Sequence, residues 1–341
     1  MKISFLLLVL FGIVSVVPAQ WQKQNVETKA SLRGLSVVNE KIVWASGTGG
    51  TFLRTIDGGK TWKVGHVADA EKLDFRDVEA FNEREAYLLS IGNGATSRIY
   101  KTTDGGETWK LQFKNTDEKV FLDAFAFWDA QHGVAMGDPV DEHFFLLATN
   151  DGGNSWKPLE ISKMPETKTG EAAFAASGTC LVTNGKSDLF LVSGGMTARV
   201  FRSADRGLTW TVSETPVVHG TSGSGIFSIA MFDRQRGVIV GGNYEKPNDT
   251  TNNLALTNDA GKTWTLATGL NGYRSGVAFI DLKTLIAVGS NGSDISNDAG
   301  KTWKNLDKDS YNAVQSKRVS GVWAVGANGL VAKWSGQNRL R

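Results

Sequence analysis

Two sets of side chains in this 341-residue chain could do chemistry. Asp123 and Glu171 are the best carboxylate pair available for acid–base work on a glycosidic bond, which needs two such groups roughly 5 to 9.5 Å apart. Arg33, Arg76 with Asp77, and Arg274 join them as charges able to recognise a partner. Other chemistries lack their residues. The four histidines (66, 132, 143, 219) show no ligand spacing, and a single cysteine makes neither an internal disulfide nor a Cys-based zinc site. No dinucleotide-type glycine motif stands between a strand and a helix. No metal and no cofactor is therefore expected. What the charged residues can do depends on the elements that bring them together.

Those elements are repeats. One motif recurs six times: TIDGGKTW from Thr55, TTDGGETW from Thr102, TNDGGNSW from Thr149, SADRGLTW from Ser203, TNDAGKTW from Thr257 and SNDAGKTW from Ser296. Its aspartates are Asp57, Asp104, Asp151, Asp205, Asp259 and Asp298, spaced 47, 47, 54, 54 and 39 residues apart. Its tryptophans are Trp62, Trp109, Trp156, Trp210, Trp264 and Trp303. Glycine permits a tight turn with positive φ, and an aspartate there accepts backbone N–H bonds. The tryptophan then starts a returning strand and can wedge its ring between sheets. The motif resembles the Asp-box, or BNR, repeat SxDxGxTW of β-propellers. That resemblance implies a structural box on the face away from the usual binding site, so these six aspartates are read as turn locks.

Two further strand-like segments precede each box, for example Phe75–Phe81 and Ala86–Ile91. Four strands in roughly 45 residues make one propeller blade. After the sixth box, Tyr311–Val314, Val322–Val325 and Leu330–Trp334 form a seventh unit with three strands. Its fourth strand is expected at the other end of the chain, where Trp21–Val26 matches the Trp-initiated outer strands. The alternative is a six-bladed ring with a frayed tail. The reading is all-β: a single seven-bladed propeller over 20–341 with Asp-box hairpins, closed by an N-terminal strand in the last blade. Its blades run over about 30–67, 73–115, 120–162, 170–214, 224–268, 273–307 and 310–336 plus 20–26.

Residues 1–19 read as a leader. Lys2 is followed by an apolar run from Ile3 to Val17, and small residues precede a cleavage site near Ala19-Gln20. About 15 apolar residues is short of the roughly 20 that span a bilayer. No cysteine follows for a lipid anchor, and no later stretch is long and apolar enough to cross a membrane. A secreted or periplasmic monomer is expected, with Cys180 as a buried small hydrophobe. With 37 Lys+Arg against 35 Asp+Glu the net charge is +2, which gives nucleic-acid binding no electrostatic support.

Aligned on their second strands, the repeats place Arg33, Arg76 with Asp77, Asp123, Glu171, Phe227 with Ser228, Arg274 with Ser275, and Tyr311 with Asn312 where each first strand begins. In a propeller these positions ring one mouth of the central channel, opposite the boxes. The longest insertions (137–143, 163–170, 216–225 and 243–253) share that face, where binding residues collect. Such charges can equally be there to pair with one another. The segments SGTGGTFLRTIDGGKTW (46–62) and SRIYKTTDGGETW (97–109) resemble blades of the photosystem II stability/assembly factor family. That resemblance implies non-catalytic binding through an arginine-bearing face, for which Arg33, Arg76 and Arg274 are the matching positions. The expected activity is a binding or scaffold role toward a protein or glycan partner. The alternative is a glycoside hydrolase using Asp123 and Glu171; against it, the xyloglucanases of this propeller type place their cleft between two propellers.

Overall fold

A computed structural model describes residues 20–161, 163–317 and 321–336; the leader expected over 1–19 lies outside them. The described chain is almost entirely β, with one 3-10 turn at Gly94–Thr96. Its strands form seven antiparallel sheets. Blade 1 runs Leu32–Val37, Val43–Gly47, Thr51–Thr55 and Lys63–His66. Blades 2 to 6 repeat this order from inner strands Phe75–Ala80, Leu122–Phe127, Leu181–Asn184, Ser224–Met231 and Gly276–Phe279. The inner strands touch one another in a closed circuit from blade 1 round to blade 7. Among the described residues no helix is long and apolar enough to cross a membrane.

Blade 7 closes the ring. Its chain-terminal strands are Tyr311–Ser316, Val322–Gly326 and Val331–Trp334, and its outer strand is Trp21–Lys23 from the opposite end of the protein. Trp21 pairs with Trp334 and Lys23 with Ala332, and the Gln24 N–H extends the ladder to the Val331 carbonyl at 2.8 Å. The Trp21 ring meets Trp334 edge-on at 5.3 Å, while its indole N–H donates to Ser293 Oγ in blade 6 at 3.0 Å. The other outer-strand tryptophans do the same job. Trp62 packs edge-on against Trp323 of blade 7 at 5.6 Å, and Trp109 against Phe52 of blade 1 at 5.1 Å.

Each box is a lock of short hydrogen bonds. In the first, the Thr55 hydroxyl donates to Asp57 and accepts from the Gly59 N–H, while the Thr61 N–H and hydroxyl donate to the two Asp57 oxygens at 3.0 and 2.6 Å. The hydroxyl contact recurs in all six boxes, between 2.5 and 2.7 Å. Hydrogen bonding of the ionised form holds the Asp57, Asp151 and Asp259 carboxyls down at about 2. The residue after each aspartate is left-handed, and Arg206, Ala260 and Ala299 adopt that conformation where Gly58, Gly105 and Gly152 do elsewhere.

Blade 4 departs from the expected pattern. The repeat alignment starts it at about 170, with Glu171 opening the inner strand, whereas that strand is Leu181–Asn184. The Glu171–Ala172 strand instead pairs with Gly194–Gly195, which in turn bridges to Gly225 of blade 5. The residues between 172 and 181 are thus free to cross the channel.

Ring closure through the N-terminal strand is testable. Trp21→Ala is expected to cost about 2 kcal/mol, less than a fully buried tryptophan because the ring is half-exposed, and to lower the Tm by several degrees. Deleting residues 20–27 lowers it further, as followed by thermal circular dichroism. An unchanged melt would show that the seam does not hold the ring.

Candidate functional site

Strand connectivity decides which side chains meet at the channel mouth. In a four-stranded antiparallel blade, the 3–4 hairpin carrying the box lies at one end of the sheet. The start of the inner strand and the 2–3 connection lie at the other. On that second face five inner strands carry a β-bulge, with register shifts between Leu32/Gly34, Phe75/Asp77, Leu122/Ala124, Ile226/Ser228 and Tyr311/Ala313. A bulge inserts one residue and re-aims its side chain. The inserted residues are Arg33, Arg76, Asp123, Phe227 and Asn312, and all five line one cavity of about 460 Å³.

The cavity is a blind cup, because the 172–181 segment lies across the channel. The Arg33 guanidinium donates to the Ala176 carbonyl and that of Arg76 to the Ala175 carbonyl, both at 3.1 Å. The Ala173 N–H donates to Asp138, Phe174 stacks on Phe227 at 3.9 Å, and Ser177 donates to the Ser275 carbonyl of blade 6 at 2.7 Å. This strap runs from blade 4 past the cup wall to blade 6 and is itself buried at Ala173 and from Ala175 to Ser177.

The cup has two halves. Blades 1 to 3 supply charge. Arg76 is tied to Asp74 at 2.8 Å, but Arg33 forms no ion pair among the described residues. Burial, reinforced by Asp138, pushes the Asp123 carboxyl well above the usual range, with Arg76 opposing. Burial raises Asp138 as well, against the Ala173 N–H. The Oδ2 atom of Asp123 is buried with no hydrogen-bond partner among the described residues. Burial and the neighbouring Arg76 charge lower Arg33. Blades 5 to 7 supply aromatic surface: Phe227, Tyr244, Tyr273 and Tyr311.

The sequence-derived positions therefore divide. Arg33, Arg76 and Asp123 come together with Phe227, Ser275, Tyr311 and Asn312. Asp77 sits below the cup, where its buried carboxylate accepts the Val78 and Phe125 N–H groups and burial raises its pKa. Arg274 turns away from the cup. It is fully buried, and its Nε–H donates to Asp294 at 2.8 Å while Asn291 takes another N–H. Glu171 is likewise committed, accepting from the Arg199 guanidinium, the Ser193 hydroxyl and the Lys168 N–H. Both its oxygens are engaged, so it has no lone pair positioned to act with Asp123. Asp138 and Tyr244 come from the insertions 137–143 and 243–253 expected on this face, whereas Tyr273 and the strap were not singled out from the sequence. Tyr273 stands two residues before the cup-lining Ser275, as Phe121 does before Asp123, and Arg274 between them takes the buried place that Leu122 has in blade 3.

An Asp-box propeller of seven blades with a blind, arginine-bearing cup is the class that this architecture defines. The family profile described as photosynthesis system II assembly factor YCF48 matches residues 14–112. A structure described as YCF48 bound to D1 peptide superposes with a TM-score of 0.68 at 17% identity, covering 95% of this chain and 99% of the other. YCF48 from Cyanidioschyzon merolae gives 0.67 at 19%, covering 93% and 99%. The GH74 enzyme of Niastella koreensis gives 0.60 at 16%, and there the chain covers 53% of the larger protein. No curated protein matches the chain in sequence. The chain is an Asp-box seven-bladed propeller resembling the photosystem II assembly factor family.

Two substitutions separate an ion-paired carboxylate from one whose ionisation burial opposes. Glu171→Gln leaves the Arg199 charge buried without its counter-ion, and is expected to cost about 3–5 kcal/mol in chemical denaturation. Asp123→Asn is expected to do the opposite. A carboxyl whose folded pKa is raised loses stability as pH climbs from its unfolded value, about 3.9, through the folded one. The amide removes that penalty, so the variant melts higher than the parent at pH 7 and level with it below about pH 4. A lower Tm at pH 7 would show that the ionised carboxylate is needed.

Proposed function

We propose that the protein is an exported, non-catalytic binding or scaffold propeller that docks a protein partner over the cup. The observation that carries the reading is Arg33. Its guanidinium stands in a concave site opposite the boxes, held by one backbone carbonyl and in no contact ion pair among the described residues. A cavity of about 460 Å³ falls in the ordinary range of ligand pockets. The similar structure described as YCF48 bound to D1 peptide supports a peptide or protein as the occupant. The commitment of Glu171 to Arg199 weighs against the paired-carboxylate hydrolase. Export rests on the apolar run and small residues of 1–19, and the monomeric state on a ring whose sheets are paired within one chain.

The test is affinity capture from the envelope fraction of the host, with mass spectrometry of what co-purifies. The parent protein is expected to retain a specific partner, and the Arg33→Glu/Arg76→Glu variant to lose it while still folding cooperatively, with a Tm lowered by loss of the Arg76–Asp74 pair. Arg274 is unsuitable for this purpose, since reversing a fully buried charge would unfold the blade. Retained capture by the double variant would reject the cup as the docking surface.

A further inference from the structure

We infer that the cup contains a subsite for a planar aromatic group, seated on the blade 5–6 wall, whose adjoining carboxylate reaches Arg33. The inference deepens the reading of the cup as a protein-docking site and rests on it for the identity of the occupant as a partner's side chain.

The wall is built and rigid. Phe227 is covered on one face by Phe174, at 3.9 Å and 4° between planes, and met edge-on by Tyr273 at 4.7 Å. Tyr244 stands perpendicular to Phe227 at 6.2 Å and is 49% exposed, so its ring keeps surface that no other side chain covers. Its loop is held in place. The Tyr244 N–H donates to the Gly223 carbonyl, and the Asn243 side chain accepts from the Glu245 N–H at 2.9 Å. An aromatic ring fixed beside a concavity is a stacking surface whose entropy loss on binding is already met by the fold.

The opposite wall sets the second requirement. Arg33 makes no contact ion pair among the described residues, Asp74 favouring its charge only from a distance. A purely apolar occupant would desolvate Arg33 without pairing its charge, which is costly. A purely anionic one would leave the aromatic wall wet. The ligand that uses both walls joins an aromatic ring to an acidic group within one residue or two neighbouring ones. That chemistry has two sources: a Phe-Asp type segment of a protein partner, or a free aromatic carboxylic acid.

Four probes separate the possibilities by isothermal titration: the blocked peptide acetyl-Gly-Gly-Phe-Asp-Gly-Gly-amide, its Phe→Ala and Asp→Asn versions, and N-acetylphenylalanine. The parent Phe-Asp peptide is expected to bind at least tenfold more tightly than either altered peptide. Tyr244→Ala should erase the preference for Phe over Ala, and Arg33→Gln the preference for Asp over Asn. Tyr244→Phe should keep the first preference, which shows that the ring and not the fold is read. Binding of N-acetylphenylalanine without the peptide supports the subsite and assigns it to a free acid, while rejecting the protein-docking reading. Equal affinity for the Phe and Ala peptides, a Phe preference that survives Tyr244→Ala, or no binding of any probe overturns the inference. A captured protein partner lost on Arg33→Glu but indifferent to Tyr244→Ala overturns the inference alone and leaves the docking reading intact.

Discussion

A ring of sheets has to close, and here the closure rests on pairing between the two ends of the chain. Without Trp21–Lys23, the Val331–Trp334 strand would present a free edge, and blade 7 would have no outer wedge against blade 6. Every other joint in the ring is made by chain continuity together with a packed tryptophan. Closure fixes the radius of the circuit of inner strands. That radius decides how far apart Arg33, Asp123 and Phe227 can stand across the mouth.

Within that frame the boxes and the bulges work on opposite faces. A box ties a hydroxyl, a carboxylate and a glycine N–H into one turn, so the 3–4 hairpin keeps a single geometry and its tryptophan enters the inter-blade gap at the same angle each time. The bulges do the reverse, breaking regular pairing so that one residue per inner strand leaves the sheet plane. The face with the boxes is therefore repetitive. The face with the bulges takes a different side chain from each blade.

This division explains what could be read from the sequence. The boxes are local, their partners lie within five residues, and so six turns and the blade count were legible, together with Trp21 as the missing outer strand. Arg33, Arg76 and Asp123 were legible too, because their bulges fall at equal distances before the second strands. Arg274 and Glu171 were not. For Arg274, the residue ten before the second strand is its neighbour Ser275, which lines the cup as Arg33 and Asp123 do, and Arg274 falls one place earlier, at a buried position where it meets Asp294. For Glu171, an insertion displaces the inner strand to Leu181, a non-local event with no local signature. The strap is invisible for the same reason: its partners Arg33, Arg76 and Ser275 lie 143, 99 and 98 residues away.

Charge counting along the sequence also misjudges the cup. Arg33 and Arg76 face Asp74, Asp123 and Asp138 nearby, which looks compensated. Only Asp74 makes a contact ion pair there, with Arg76, and it reaches Arg33 through space. Asp123 and Asp138 are driven toward the neutral acid by burial, and the closeness of Asp138 raises Asp123 further. A carboxyl whose ionisation burial opposes compensates a guanidinium less than a solvated one does. The strap contributes only carbonyl dipoles to Arg33, which orient the group without cancelling its charge. A nearly neutral protein thus keeps one cation in a low-dielectric hollow beside an aromatic wall, where an incoming carboxylate is stabilised far more than on open surface.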